Sequence, residues 1–292
     1  MKPISIPEPL SVIGEGPVWD ETEGYLLWVD INGDRIHRLN PESGKVETIE
    51  APKLASALVP CSNGGWLVSA YHSIYHWIPG KTSFDEVLRL ENLPSDVRFN
   101  DGKAGPDGGL WIGTMDLHES KAQGALYRVS ADFQYEEKLS GIYCSNGLDW
   151  SLTHDEMYYI DSHIPRVQAY AFDSKNGTLG QERTAVTLNE KSGLPDGMSI
   201  DHKGMIWVAE WGGSRVVRWN PADGSQLSAI EMPVPQPSSC AFGGANYETL
   251  FITSAYQGMS DSKRAEYPLS GALFHMETSD LGIRGRRPFR FG

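Results

Sequence analysis

The sequence predicts an all-β fold, a six-bladed β-propeller whose four-stranded antiparallel blades surround a central channel. Three observations predict it. Segments beginning near Gly14, Ala55, Arg98, Ser145, Pro195 and Ser238 recur at roughly 40 to 50 residues, the period of propeller blades built from several short strands. Within a unit, short runs rich in β-branched and aromatic residues are separated by Gly-, Asn- and Asp-containing turns. No amphipathic helical period of about ten residues or more competes with the strand pattern.

The first unit places strands at residues 16–20, 25–30, 35–39 and 45–49, and the fifth repeats the plan at 197–201, 204–209, 215–219 and 226–230. The third runs of three units, residues 36–39, 126–129 and 216–219, mix apolar and polar positions as half-buried strands do. Ile4-Ser5-Ile6 is expected to join the last unit and close the ring, so that no sheet edge stays open. The basic cluster at residues 284–290 is expected to be a final strand with solvated charges. Nothing resembling a linker or low-complexity segment interrupts the repeats, so residues 1–292 are expected to form one domain.

Composition narrows the function classes. The chain is 40% hydrophobic with nine Trp, enough for a packed core, and 38 acidic residues against 25 Lys and Arg leave a net charge of -13. Such a surface repels phosphate backbones, which argues against nucleic acid. The N-terminus carries Pro3, Pro7 and Pro9 and no apolar core of a signal peptide. No run approaches the roughly 18 apolar residues that span a bilayer. A cytoplasmic protein that binds no membrane is expected, as a monomer or small homo-oligomer. Cys61, Cys144 and Cys240 are odd in number and far apart, so they are expected to be reduced. Cys144 and Cys240 fall near unit starts, where one of them is placed to line a site, although a buried apolar filler is the commoner role.

Four unit starts carry a shared motif: Glu15-Gly16-Pro17, Asn100-Asp101-Gly102, Asn146-Gly147-Leu148 and Asp196-Gly197-Met198. Each precedes an aromatic-rich strand, at residues 26–29, 110–112, 157–160 and 205–208. The other two units offer Ser56 or Ala57 and Ser238 or Ser239. Asn-Gly and Asp-Gly are ordinary turn dipeptides, and any one copy alone reads as a turn. As a set in matched register around one axis, the four present oxygen donors to one spot while two units leave space. Such donors suit a hard cation. A cation would also let Glu15 and Asp196 converge without repulsion. Other chemistries lack their signatures: there is no Gly-x-Ser-x-Gly elbow, no zinc-type Cys/His spacing, no P-loop and no dinucleotide fingerprint.

Residues 10–20 with their Gly-Glu-Gly-Pro core, 28–30, 98–103, 110–115, 124–127, 145–148, 159–162, 195–198, 211–213 and 267–274 together resemble the gluconolactonase, regucalcin (senescence marker protein) and luciferin-regenerating enzyme family of six-bladed propellers. The resemblance runs in order along essentially the whole chain. It implies metal-dependent hydrolysis of a sugar (aldono-) lactone, with Glu15, Asn146 and Asp196 as direct ligands and Arg98 and Asn100 as substrate contacts. Regucalcin-like members carry a substrate-holding Glu after the Gly-Thr-Met stretch. Here the counterpart is His118, followed by Glu119, a departure that bears on which sugar fits. Asp196 is the candidate general base and Asp101 the alternative. Calcium is the expected cation, with zinc, manganese, magnesium and ferrous iron also compatible. Two other functions fit the same residues: a calcium-binding regulatory propeller without turnover, and a hydrolase of a non-sugar ester or organophosphate.

Overall fold

A computed structural model describes residues 2–189 and 192–292. A short strand β1 (Ile4–Ile6) precedes five four-stranded meanders and a three-stranded unit. The meanders are β2–β5 (Gly14–Asp20, Tyr25–Asp30, Arg35–Asn40, Lys45–Glu50) and β6–β9 (Ala55–Pro60, Trp66–Ala70, Ser73–Trp77, Phe84–Arg89). They continue with β10–β13 (Val97–Ala104, Leu110–Asp116, Gly124–Val129, Tyr135–Ile142) and β14–β17 (Ser145–Trp150, Glu156–Asp161, Arg166–Asp173, Thr178–Thr187). The fifth is β18–β21 (Leu194–Ile200, Ile206–Trp211, Arg215–Trp219, Gln226–Glu231). The last three strands are β22–β24 (Pro237–Gly243, Thr249–Ser254, Leu273–Glu277). β1 supplies the missing outer strand of the sixth sheet, with Ile4 opposite His275 and Ile6 opposite Leu273. The result is the six-bladed propeller of four-stranded antiparallel blades that the repeats predict.

Strand sequence follows position in the blade. The second strands are covered on both faces by neighbouring blades, so they read as continuous apolar runs rather than alternating ones. Leu26 to Val29, Met157 to Ile160 and Ile206 to Ala209 are buried throughout. The outer strands β5, β9 and β13 are mostly exposed and carry the charges. Packing between blades makes the core: Leu27, Val29 and Ile36 meet Leu58, Val68 and Trp77, and Trp111 and Leu126 meet Leu148, Trp150 and Tyr159. The innermost strands β2, β6, β10, β14, β18 and β22 touch one another in a closed cycle around the axis.

The C-terminal segment departs from expectation. Residues 284–290 form no strand. They run as a strap across the loops that join first and second strands, and the strap reaches all six blades. Gly285 N donates to Tyr247 O at 2.7 Å and His202 N to Arg284 O at 2.9 Å. Arg286 pairs with Asp149, and Arg287 pairs with Glu21 at 2.6 Å. Ser62 N donates to Phe291 O at 2.9 Å and Gly292 N to Gly108 O at 3.0 Å. The blades already pair their own strands, so the strap's backbone finds loop partners instead. The guanidinium groups of Arg286, Arg287 and Arg290 find carboxylates, and of these only Arg287 is largely solvated, at 73% side-chain exposure.

Candidate metal and substrate site

Every innermost strand breaks register at the motif position. The breaks fall between Glu15 and Val18, Ala55 and Ala57, Phe99 and Gly102, Asn146 and Leu148, Pro195 and Met198, and Pro237 and Ser239. A bulge inserts an unpaired residue and re-aims its side chain, so six bulges turn six side chains out of the regular ladder. The motif glycines therefore serve bulges inside strands rather than turns between them. At Gly147 a Cβ would sit 2.6 Å from Asp196 O, and at Gly197 one would sit 2.1 Å from Ser239 Oγ. Glycine is required there because adjacent blades approach closely.

Around one end of the channel, Glu15, Arg98, Asn100, Asn146 and Asp196 line a single cavity of about 120 Å³, enough for several water molecules. All five are buried. The motif serines of the two remaining blades stay out of the lining: Ser56 Oγ is tied to Ser69 Oγ at 3.0 Å and Ser238 Oγ to Thr253 Oγ1 at 3.0 Å, and the sixth blade enters the lining through Gln257 instead. At the motif positions, four blades bring a polar side chain to the cavity and two do not.

The donor groups are not equally free. Arg98 Nη1 donates to Phe99 O at 2.8 Å and to Asn100 Oδ1 at 2.7 Å, and Asn100 Nδ2 donates to Ser145 O at 2.9 Å. Both ends of the Asn100 amide are thus engaged. Asn146 differs: its Nδ2 donates to Ser162 Oγ at 3.0 Å, while its buried Oδ1 has no hydrogen-bond partner. A buried acceptor left unpaired is costly and needs an explanation. Glu15 accepts from Gly16 N at 2.7 Å, yet burial and then the Asp101 charge push its carboxyl up to about 8. Burial, then the charges of Glu15, Asp101 and Glu119, raise Asp196 well above the carboxylate range. Two carboxylates and one orphaned amide oxygen around a small cavity fit a divalent cation that prefers oxygen. Among the described residues no three His, Cys, Asp or Glu side chains converge on a metal-sized spot, here or elsewhere, so a cation at this site would need the amide oxygen of Asn146 beside the two carboxylates.

The loop after β11 places Glu119 and His118 differently. Buried Asp116 ties the loop down by accepting from Ser120 N at 2.8 Å, Lys121 N at 3.0 Å and Gln123 Nε2 at 3.1 Å. Glu119 takes a φ of 52° and lines the cavity, whereas His118 is exposed and lies outside the lining. Asp101 also separates from the group. It lines a second cavity of about 80 Å³ toward the strap, with Lys103, Asp149 and Arg286. There Lys103 Nζ lies 3.3 Å from Asp149 Oδ2 and donates to Met198 O at 2.7 Å. Sequence reasoning missed Ser162, although it sits inside one of the motif-bearing stretches. It also missed Met115 and Trp211, which likewise sit inside such stretches, and Gln257, which sits in none; all three join the lining.

The chain is similar to known proteins over nearly its whole length. The profile of the SMP-30/Gluconolactonase/LRE-like region matches residues 13–256. Regucalcin of Danio rerio is 36% identical over 283 residues, covering 96% of this chain and 94% of that protein. A Bacillus subtilis protein provisionally named a sugar lactone lactonase is 35% identical over 281 residues, covering 96% of this chain and 95% of that protein. The solved structure of a calcium-binding protein, regucalcin, from Agrobacterium tumefaciens superposes with a TM-score of 0.93 at 26% identity, covering 100% of this chain and 97% of its own.

Proposed function

Because the chain belongs to the SMP-30/gluconolactonase/LRE-like family, we propose that it is a hydrolase that opens a sugar (aldono-) lactone, using one divalent cation held by Glu15, Asn146 and Asp196. The observation that carries the reading is the unpartnered, buried Oδ1 of Asn146 lining one cavity with two buried carboxylates. Calcium is the cation this oxygen-only set favours, with magnesium, manganese, zinc and ferrous iron compatible when waters complete the shell.

When bound, the cation supplies positive charge that keeps both acids ionised and polarises the lactone carbonyl. The chain's own residues do the rest. Asp196 accepts a proton from the attacking water as the new C–O bond forms. The ring C–O bond then breaks, and the same carboxyl returns the proton to the departing ring oxygen. Arg98 has spent its Nη1 hydrogens on Phe99 O and Asn100 Oδ1, which leaves Nε and Nη2 for substrate hydroxyl or carbonyl oxygens. Asn100, locked by that bond, holds the guanidinium at a fixed angle. Glu119 at the mouth is placed to accept from a sugar hydroxyl, the role that the motif alone would give to His118.

The test is hydrolysis of a panel of γ- and δ-aldonolactones by metal-stripped protein, with each cation restored in turn. Turnover that appears only with a cation supports the reading and names the ion. Cation binding without turnover of any lactone would move the assignment to a cation-binding propeller that does no chemistry, the reading that the regucalcin relatives' name also suits.

A further inference from the structure

The cavity has a soft wall beside its hard donors. Cys144 precedes β14, and an isolated antiparallel bridge joins it to Met115 at the end of β11. Cys144 N is pinned by Asp161 Oδ1 at 3.1 Å. The two sulfurs, Cys144 Sγ and Met115 Sδ, lie 3.7 Å apart, and both residues line the cavity that Glu15, Asn146 and Asp196 share. The thiol stands between the two amides, 3.8 Å from Asn100 Nδ2 and 3.8 Å from Asn146 Nδ2. The other cysteines are elsewhere: Cys61 packs in an interblade core, and Cys240 lines the cavity under the strap.

We infer that Cys144 and Met115 form a soft half-site, so that a thiophilic divalent cation such as cadmium or zinc is held by Cys144 Sγ together with the Oδ1 of Asn146. The inference rests on the cation site proposed above and adds a ligand to it. Cys144 would supply a thiolate and Asn146 an amide oxygen to such an ion, donors that soft and borderline cations accept together. Cys144 and Asn146, whose Oδ1 is buried and unpartnered, line one cavity two residues apart in the chain. On binding, the S–H bond breaks, the metal–sulfur bond forms and the proton leaves to solvent. Met115 Sδ supplies a polarisable neighbour that suits soft ions and offers nothing to calcium or magnesium. The site thereby distinguishes cations by softness, and a thiophilic ion competes with a hard one for Asn146.

The experiment titrates metal-stripped protein with cadmium and follows the ultraviolet thiolate-to-metal charge-transfer absorption. X-ray absorption at the cadmium edge is recorded on the same wild-type sample. The expected result is one equivalent of charge-transfer absorption and a sulfur neighbour in the cadmium shell. Cys144→Ser should lose the absorption and weaken cadmium binding about tenfold or more, with calcium binding changed less than about twofold. An oxygen-only shell in the wild-type protein overturns the inference, and so does absorption that survives in Cys144→Ser. Neither result touches the lactonase reading, which is judged separately by cation-dependent turnover with calcium.

Discussion

Asn146 Nδ2 donates to Ser162 Oγ at 3.0 Å, across the pair β14 and β15, and this bond decides which end of the amide faces the cavity. With the nitrogen committed, Oδ1 is left buried and unpaired. Ser162 is therefore the residue that orients a proposed ligand, and groups of this kind commonly govern metal affinity.

Ser162→Ala should lower cation affinity by about tenfold to a hundredfold while the fold is kept. Calorimetric titration of the metal-stripped variant with calcium measures it. Unchanged affinity would show that the amide needs no orienting partner.

Asp196→Asn should abolish lactone hydrolysis. It should also make the cation-free protein more stable, by about 1 to 3 kcal/mol, because an uncompensated buried carboxylate is replaced by a neutral amide. Burial and the Glu15 charge already oppose ionisation of Asp196. Activity assays and urea unfolding with a chelator read the two effects, and a variant that is both active and destabilised contradicts the assignment.

Glu119→Gln should raise KM several-fold with kcat nearly unchanged, since loss of a contact made equally in ground and transition states weakens binding alone. His118→Ala should change neither. The contrast follows from placement, because Glu119 lines the cavity and His118 does not.

Arg286→Ala and Arg287→Ala should separate by burial. Arg286 pairs with Asp149 at 19% and 9% side-chain exposure; its loss leaves Asp149 to Lys103 and should cost about 1.5 to 3 kcal/mol, the range of a hydrogen bond to a charged group. Arg287, at 73% exposure, should cost less than about 0.5 kcal/mol. Urea denaturation at neutral pH compares them, and equal losses would mean that the strap contributes through its backbone only.

Acid stability should depend on His37. Its ring is buried against Trp28 at 5.0 Å, Nδ1 meets Thr48 Oγ1 at 2.9 Å, and Nε2 has no partner. Burial, then the Arg35 charge, depress its pKa to about 4. A folded pKa below the unfolded value of about 6.5 means that the contribution is complete above pH ~6.5 and is lost as pH falls toward 4, by about 3 kcal/mol at the end. His37→Gln should show a smaller loss of unfolding free energy between pH 7 and 4.5 than the parent; an equal loss would assign the acid sensitivity to carboxylates.

Much of the architecture was legible because a propeller writes one local pattern six times. Each blade needs its own turns, its own buried second strand and its own bulge, so strand positions such as 25–30 and 215–219 could be read from the chain alone. The convergence of Glu15, Asn100, Asn146 and Asp196 was legible for the same reason, since equivalent positions in a closed ring must face a common axis, whereas Arg98 entered only through the family resemblance.

What only the tertiary structure decided are contacts between parts that no repeat relates. The strap carries no periodic signal, and its course over six blades depends on loop carbonyls, Asp149 and Glu21, which are brought together only when the ring closes. The choice of Glu119 over His118 rests on a loop tied to Asp116 and on one residue's left-handed backbone. Asp101 sits beside Asn100 in sequence, yet the bulge sends the two to different cavities. The meeting of Cys144 with Met115 likewise arises where one blade abuts the next. Sequence by itself determined the repeated frame, because local propensity and burial act identically in every blade. The singular contacts were decided by packing, because distance in space there bears no relation to distance along the chain.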